Sequence, residues 1–281
     1  MKILVTGANG QVGQALQSVA PAHGADINAF DRQALDISDR AAVKAAIEAA
    51  APDVVINAAA YTAVDKAEEE VEAAFAINAM GPENLAAACG DIPVLHISTD
   101  FVFDGKKPGA YVEEDPIAPL SVYGKSKAEG EARVAAVSHK HIILRTAWVF
   151  GGAQNFVNTM LRLGETHKEL NIVDDQKGGP TAAADIADAL LKIAGKVSDD
   201  GFTDWGIYHY CGAPAITWYG FARAIFAGRE TPALHPIPTE QYPVPATRPK
   251  NSVLDCEKIK RVFDIHQPDW REALSQILDK R

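Results

Sequence analysis

The sequence predicts an α/β protein in which a doubly wound parallel sheet is followed by a smaller C-terminal lobe. Through the first half, short runs of β-branched residues alternate with alanine-rich segments at helical spacing, and a glycine-rich turn follows the first run. After about residue 150 this alternation weakens. We therefore expect residues 1–150 to form the sheet domain and residues 151–281 to form mainly the second lobe, with some elements packing back on the first.

The expected elements follow one another as pairs of a strand and a helix. Runs rich in Val and Ile predict strands at residues 2–6, 27–30, 53–57, 92–98 and 141–145. Alanine-rich segments, several with an Asp or Ser near the start as a cap, predict helices at residues 11–20, 39–50, 71–89 and 123–137. A further helix at residues 183–194 is expected to pack back on the sheet domain.

The composition excludes several classes of protein. With 47% hydrophobic and 23% charged residues the chain is ordinary for a globular protein, and a net charge of −10 opposes nonspecific binding to nucleic acid. Three cysteines without a Cys-x-x-Cys pair argue against a disulfide framework, and together with the absence of a His-Glu-x-x-His spacing they predict no metal. Because no apolar run suits a signal peptide or a membrane span, we expect a cytoplasmic protein without a membrane partner.

Three glycines at the first strand-to-helix turn indicate a dinucleotide-binding site. Gly7, Gly10 and Gly13 follow the first predicted strand and open a helix. Their spacing permits a tight turn, close backbone approach to a pyrophosphate and close packing of helix on sheet, while the helix N-terminus faces the anion. This context favours a Rossmann fold that binds NAD or NADP over an ordinary tight turn.

The residues after the second strand bear on the choice between these two cofactors. Asp31 lies about 20 residues past the glycines, where a carboxylate would bond the adenosine ribose hydroxyls and favour NAD. Arg32 beside it would accept a 2′-phosphate, so the pair leaves the choice open. Asp36 and Ile37, in the next loop, fit either a position beside the adenine or a helix cap and a core residue.

A candidate catalytic set consists of Thr99, Tyr123 and Lys127. Tyr123 and Lys127 are one helical turn apart, so we expect the ammonium to lie near the phenol and lower its pKa, which makes Tyr123 a general acid and base. Lys127 would also reach the nicotinamide ribose. Thr99 ends the fourth strand at the carboxyl edge of the sheet, where its hydroxyl can polarise a carbonyl. These groups predict an enzyme that adds or removes hydride at an alcohol carbon.

These motifs resemble those of the extended short-chain dehydrogenase/reductase family. The shared features are the glycine-rich turn, the string Asn57-Ala-Ala-Ala, a Ser or Thr at position 99, and Tyr123-x-x-x-Lys127. Longer strings, at residues 57–68, 98–104, 145–150, 175–181 and 248–252, are similar to the dTDP-4-dehydrorhamnose reductases within that family. The likeness runs along nearly the whole chain.

The resemblance implies an activity and a set of site residues. The activity is reduction of the C4 keto group of dTDP-4-dehydro-L-rhamnose to dTDP-L-rhamnose, the last step of dTDP-rhamnose biosynthesis, with hydride from NADPH or NADH. The resemblance assigns catalysis to Thr99, Tyr123 and Lys127, and it places Asp100 and Trp148 in the sugar pocket. The implied cofactor contacts are Gly10, Gln11, Val12, Asp31, Asp36, Ile37, Ala60, Tyr61 and Thr62.

The second half of the chain is less informative about the substrate. Arg248 and Lys250 would neutralise a sugar-nucleotide diphosphate, or they belong to a solvated basic loop between prolines. Trp148 would stack on the sugar or the thymine, or it fills the core. The first helix lacks the carboxylate that some relatives use in a metal-bridged dimer, and monomer and homodimer both stay open.

Two other functions are compatible with the sequence. One is another nucleotide-sugar enzyme of the extended family, such as a 4-epimerase or a dehydratase; a dehydratase has glutamate after Thr-Asp, where this chain has Phe101. The other is a noncatalytic regulatory subunit, since a similar fold serves methionine adenosyltransferase in that way. The joint presence of Thr99, Tyr123 and Lys127 favours catalysis.

Overall fold

The computed structural model of the protein describes residues 1–199, 201–229 and 232–279. Five residues of the expected second lobe, at positions 200, 230, 231, 280 and 281, lie outside this part. The strands are β1 (Lys2–Thr6), β2 (Asp26–Phe30), β3 (Val54–Asn57), β4 (Val94–Thr99), β5 (His141–Thr146), β6 (Val149–Phe150), β7 (Glu169–Val173), β8 (Lys177–Gly178), β9 (Thr181–Ala182), β10 (Gly206–His209), β11 (Ile216–Thr217) and β12 (Ala233–Ile237). The helices are α1 (Gln11–Val19), α2 (Arg40–Ala50), α3 (Val71–Phe75), α4 (Gly81–Cys89), α5 (Val122–Val137), α6 (Phe156–Thr166), α7 (Ala183–Val197), α8 (Trp218–Ile225), α9 (Glu257–Phe263) and α10 (Trp270–Asp279).

A parallel sheet forms the centre of the molecule, with strand order β2-β1-β3-β4-β5-β10. Both of its faces are covered. Ile3 and Val5 on β1 pack with α1 and α7, whereas Leu4 between them packs with α2 and α4. This burial on two sides explains why the strands read as continuous apolar runs.

The sheet has its topological switch point at β1. The chain leaves β1 for β2 on one side and continues with β3 on the other. Connections therefore depart in opposite directions from the carboxyl ends of β1 and β3, which opens a crevice at the place where doubly wound folds bind ligands.

A second apolar core lies among the elements that follow β5. Its largest buried side chains are Phe150, Phe221 and Trp270, which pack edge to face on one another, together with residues of α6, α8 and the β7 strand. The later chain also contributes to the first domain, because β10 pairs with β5 and α7 packs on α1. Helix α7 covers the predicted helix at 183–194 and runs on to Val197.

The five predicted strands are confirmed to within two residues at each end, and Asp39 and Ser121 cap α2 and α5 as expected. The prediction of one helix at 71–89 is wrong, since a π-helical segment (Ala76–Met80) separates α3 from α4. Pro82 has no N–H to donate to the carbonyl four residues earlier, that of Asn78, and a wider turn results. Gly130 of α5 sits against this carbonyl, where a Cβ would lie 2.0 Å from the oxygen.

None of the helices in the described residues is both long enough and apolar enough to cross a membrane.

Candidate active site

Two glycines of the glycine-rich turn are packed so closely that neither position tolerates a side chain. Gly7 has φ +77°, and a Cβ there would lie 2.6 Å from the backbone of Ala58 and Ala59 at the end of β3. A Cβ on Gly13 would lie 2.1 Å from the carbonyl oxygen of Gly7. The turn therefore brings the start of α1 directly onto the carboxyl end of the sheet, as the spacing of the glycines predicts.

The start of α1 offers backbone N–H groups rather than side chains to a ligand. Gly10 caps the helix without a side-chain hydrogen bond, and the first N–H groups of a helix have no acceptor within it. The Gln11 amide bonds the Val149 carbonyl at 3.3 Å and the Gly152 N–H at 3.1 Å, while Val12 packs into the core. A pyrophosphate would thus meet free donors at a helix N-terminus, which fits the predicted cofactor.

Asp31 follows β2 beside this turn. Its carboxylate accepts hydrogen bonds from the Asn9 amide at 2.9 Å and from the N–H groups of Gln33 and Ala34 at 3.0 and 2.9 Å. The Ala34 N–H makes the largest contribution to lowering the pKa of Asp31, which stays ionised. Asp31 is therefore oriented next to the glycine-rich turn, where the sequence places a ribose-binding carboxylate.

The loop after Asp31 contains an exposed arginine and two residues with structural roles, Asp36 and Ile37. Arg32 is exposed. Asp36 bonds the hydroxyl and the N–H of Ser38, and the Ser38 hydroxyl is the main reason that its pKa is lowered. Ile37 is buried against Gly81. Of the two alternatives for these residues, the Asp36 side chain caps a turn and Ile37 is a core residue. Their carbonyl oxygens accept from the Asp39 N–H at 3.0 Å and from the Asn84 amide at 3.1 Å.

The loop after β3 is held by a residue that the sequence argument missed. Asn78, in the π-helical turn, accepts from the Tyr61 N–H at 2.8 Å and donates to the Tyr61 carbonyl at 3.0 Å. It also donates to the Ser126 hydroxyl at 3.0 Å, between Tyr123 and Lys127 on α5. Asn78 therefore ties the segment Ala60, Tyr61 and Thr62 to the candidate catalytic helix. The Gly81-Pro82 break of the helix was the available signal.

Thr99 and Tyr123 meet at the carboxyl edge of the sheet. Burial raises the pKa of Tyr123 to about 12, a side-chain hydrogen bond with Thr99 opposes this, and the nearby Asp100 adds to it. The expected lowering of this pKa by Lys127 is wrong: burial dominates the shift, and the one group that lowers the pKa is Thr99. Tyr123 therefore keeps its proton at neutral pH, which is the state needed to protonate an alkoxide during reduction.

Lys127 is buried to 1% exposure beneath the edge of the sheet. Its Nζ donates to the Ile97 carbonyl at 2.7 Å and lies 3.2 Å from Nε2 of His96. Burial lowers the pKa of Lys127 to about 8, and Glu131 one turn later opposes the shift. With this pKa, Lys127 is mostly an ammonium at pH 7 and loses its proton at a pH only slightly above neutral, far below the ordinary value of a lysine.

Two buried oxygens at this edge lack a hydrogen-bond partner among the described residues: Asp100 Oδ2 and Thr146 Oγ1. Thr146 ends β5 directly beside Thr99 on β4. Burial raises the pKa of Asp100 to about 6, and the Thr99 hydroxyl, which donates to the other oxygen at 3.0 Å, opposes the shift. Because unpaired buried polar atoms are costly, their grouping at the carboxyl edge fits a polar ligand.

Trp148 follows β5 with φ +46°, a strained backbone for a residue with a bulky side chain. Its indole is half-buried and stacks on Trp218 with ring centroids 3.5 Å apart and planes 4° apart. Trp218 was not predicted as a site residue. One face of Trp148 is thereby covered by Trp218, and its side chain also packs against the core of the sheet domain.

The two predicted phosphate-binding cations already have carboxylate partners. Arg248 makes a bidentate pair with Asp65, with N–O distances of 2.7 and 3.0 Å. Lys250 lies 3.1 Å from Asp175 and 3.3 Å from Glu240. Both cations are at least partly exposed, so they are neither core residues nor free charges.

Proteins with similar sequences match this chain along nearly its whole length. A curated dTDP-4-dehydrorhamnose reductase of Aggregatibacter actinomycetemcomitans is 46% identical, over 98% of this chain and 98% of its own length. The family model described as RmlD substrate binding domain matches residues 1–281. The chain belongs to the dTDP-4-dehydrorhamnose reductase family.

Solved structures of this reductase family have the same fold. The dTDP-4-dehydrorhamnose reductase of Clostridium acetobutylicum matches with a TM-score of 0.94 and 41% identity, over 100% of this chain and 99% of its own. The enzyme of Bacillus anthracis, solved in complex with NADP, matches with a TM-score of 0.92 and 35% identity at the same coverage. The predicted Rossmann fold, the family resemblance and the class of NAD(P)H-dependent oxidoreductase are confirmed.

Proposed function

We propose that the chain reduces the C4 keto group of dTDP-4-dehydro-L-rhamnose to dTDP-L-rhamnose with NADPH or NADH, the last step of dTDP-rhamnose biosynthesis. The observation that carries this proposal is the meeting of Thr99 and Tyr123 at the switch-point edge of the sheet, in a chain that is 46% identical to a named reductase. Two unpaired buried oxygens at the same edge support a polar ligand there.

The bound nicotinamide would supply a hydride to C4 of the keto sugar. Tyr123, protonated because burial raises its pKa to about 12, donates its phenolic proton to the alkoxide oxygen at C4. Thr99 would hold the same oxygen by donating its single hydroxyl proton, which in the structure is given to Asp100 at 3.0 Å and would be transferred to the substrate oxygen on binding. Lys127, in its ammonium form, stabilises the phenolate that remains.

The proposed cofactor contacts surround the switch point. The glycine-rich turn, Gly7, Gly10 and Gly13, with the N–H groups of Gln11 and Val12, would hold the pyrophosphate. Asp31 and Arg32 face the adenosine ribose, and the backbone of Asp36, Ile37, Ala60, Tyr61 and Thr62 completes the set. Both NADPH and NADH remain candidates, since Asp31 is oriented and Arg32 is exposed.

The proposed substrate contacts lie between the sheet edge and the second lobe. Asp100 and Trp148 face the sugar, and the Trp218 stack supports the indole of Trp148. Arg248 and Lys250 would bind the diphosphate by exchanging a carboxylate partner for a phosphate oxygen. A cytoplasmic location is part of the proposal and rests on the three unpaired, buried cysteines.

The decisive experiment measures oxidation of NADPH and NADH with dTDP-4-dehydro-L-rhamnose generated in situ. We expect Tyr123→Phe to lower turnover about 10²- to 10⁴-fold while cofactor affinity stays near normal. Tyr208→Phe is the matched control, because Tyr208 is a buried tyrosine whose hydroxyl bonds the Asp204 carbonyl.

Two results would contradict the proposal. Near-normal turnover of Tyr123→Phe would remove Tyr123 from the catalytic set. An unmodified protein that binds NADPH but oxidises none of it would point to another nucleotide sugar or to the regulatory-subunit function.

A further inference from the structure

A row of buried polar side chains crosses the sheet beneath the candidate active site. It begins with Thr6 on β1, passes through Asn57 on β3 and His96 on β4, and ends at Lys127 on α5. The Thr6 hydroxyl donates to Asn57 Oδ1 at 2.7 Å, Asn57 Nδ2 lies 3.0 Å from His96 Nδ1, and His96 Nε2 lies 3.2 Å from Lys127 Nζ. All four side chains are at most 1% exposed.

The direction of this hydrogen-bond row is set by a backbone group. The Ala59 N–H donates to Asn57 Oδ1 at 3.1 Å, and a backbone donor cannot reverse its role. The Asn57 amide is therefore not free to flip, and its Nδ2 must donate to Nδ1 of His96. Nδ1 of His96 is consequently an acceptor.

The tautomer of His96 follows from the direction of these hydrogen bonds. Complete burial lowers the pKa of His96 well below its ordinary value, so the ring is neutral. A neutral imidazole carries one proton, and because Nδ1 accepts, the proton is on Nε2. His96 therefore presents an N–H donor to Nζ of Lys127.

An ammonium group has no lone pair with which to accept that proton. The neutral amine form of Lys127 accepts from His96 and donates to the Ile97 carbonyl, whereas the ammonium form, which the proposed function uses, can donate to Ile97 but cannot accept from His96. Two contacts in different directions thereby fix the position of Nζ. The remaining charged neighbours are Glu131, which is already paired with Arg145 at 2.7 Å, and Asp100, which faces Tyr123.

We propose that His96 is a positioning residue for the reductase reaction, which holds Nζ of Lys127 in place and opposes its protonation through the fixed row Thr6–Asn57–His96. This inference rests on the proposed function, in which Lys127 assists Tyr123. The lowered pKa of Lys127, about 8, agrees with it. His96 would then set the alkaline limit of turnover, because the ammonium that stabilises the phenolate is lost above that pKa.

The first test needs no turnover. The nitrogen resonances of His96 are measured by NMR on protein labelled with ¹⁵N-histidine, and the assignment comes from their loss in His96→Gln. We expect a neutral ring that is protonated on Nε2. A proton on Nδ1 overturns the inference even if the protein is an active reductase.

The second test measures kcat/KM for the sugar nucleotide against pH at saturating NADPH. His96→Asn keeps an oxygen that can accept from Asn57 but has nothing at the position of Nε2. We expect the alkaline midpoint to rise by about one unit, because Lys127 then keeps its proton to a higher pH, and kcat/KM near neutral pH to change by less than the roughly tenfold gain expected above the original midpoint. His96→Gln, which restores an amide near Nε2, should recover most of both changes.

The matched control is His209→Gln, since His209 is an equally buried neutral histidine whose contacts are Tyr111 and Arg145. Its alkaline midpoint should equal that of the unmodified protein. An unchanged midpoint in His96→Asn, or an equal shift in His209→Gln, overturns the inference. If the unmodified protein does not turn over, the proposed function fails, and the NMR measurement alone decides the state of His96.

Discussion

Charged side chains of the same types occur in two regions of the candidate active site, a buried floor and a partly exposed rim. We define the floor as the buried side chains His96, Lys127, Glu131 and Arg145, and the rim as Asp31, Arg248 and Lys250. In the floor, Arg145 and Glu131 lie 2.7 Å apart with side chains 2% and 4% exposed. Near the rim, Arg248 and Asp65 are also 2.7 Å apart, but their side chains are 23% and 39% exposed.

This difference separates a fixed framework from an adaptable one. Arg145 donates two hydrogen bonds to Glu131, and Ser98 donates a third at 2.5 Å. Removing either ion would leave the other as an unpaired charge in the interior. An ion pair in contact with water loses little when it opens. We therefore expect the floor to keep its geometry while the rim exchanges partners with a ligand.

The largest effect should come from breaking the buried pair. Arg145→Leu leaves Glu131 as an unpaired buried carboxylate, and we expect a loss of about 3–5 kcal/mol in the free energy of unfolding, measured with urea. Arg248→Leu, the matched change near the rim, should cost less than about 1 kcal/mol. Equal losses in the two variants would abolish the distinction between floor and rim.

An intermediate effect should appear in the pH dependence of stability. Burial lowers the pKa of Lys127 to about 8, below the ordinary value, so between these values the unfolded chain binds a proton that the folded chain does not. The stability contributed by Lys127 is present at high pH and is lost as pH falls toward 8. From pH 8 to about 10 the unmodified protein should therefore gain about 2 kcal/mol relative to Lys127→Met.

The measurement is a set of urea unfolding curves across that range. Lys125→Met, on the exposed side of the same helix, controls for the loss of a lysine from α5. If the free energy of unfolding changes with pH by the same amount in Lys127→Met and in the unmodified protein, the floor does not oppose a charge on Lys127.

The smallest effect should be an altered affinity at the rim. Arg248→Gln removes one cation that would bind the diphosphate, and we expect KM for the sugar nucleotide to rise about tenfold with kcat little changed. The free energy of unfolding should stay within about 1 kcal/mol. Arg271→Gln is a suitable control, because Arg271 is exposed and pairs with Asp269 at 2.6 Å. If KM is unchanged in Arg248→Gln, other groups than Arg248 bind the diphosphate.

The elements of the fold were predictable where the pattern is local. Strand β1 and helix α1 are encoded by an apolar run, three glycines and a helical repeat within twenty residues. The break between α3 and α4 was missed because alanine-rich periodicity continues through it. Its cause, the missing N–H of Pro82, acts on a carbonyl one turn away, and Gly130 from another helix fits the wide turn.

The candidate site shows the same division. Thr99, Tyr123 and Lys127 could be named from spacing, and the structure brings Thr99 and Tyr123 into contact. His96 and Asn78 were missed, because their partners lie 17 to 48 residues away along the chain. The strand order places His96 beside its partner Asn57, and no periodicity in the sequence predicts that order.

The sequence by itself determined the class of fold, the cofactor turn and the residues able to move a proton, since these depend on residue type and short spacing. The tertiary structure alone decided the protonation of those residues. Burial raises the pKa of Tyr123 to about 12 and lowers that of Lys127 to about 8, the reverse of a simple ammonium and phenol pair. The physical reason is that desolvation depends on everything packed around a group, whereas a motif specifies only its neighbours on the helix.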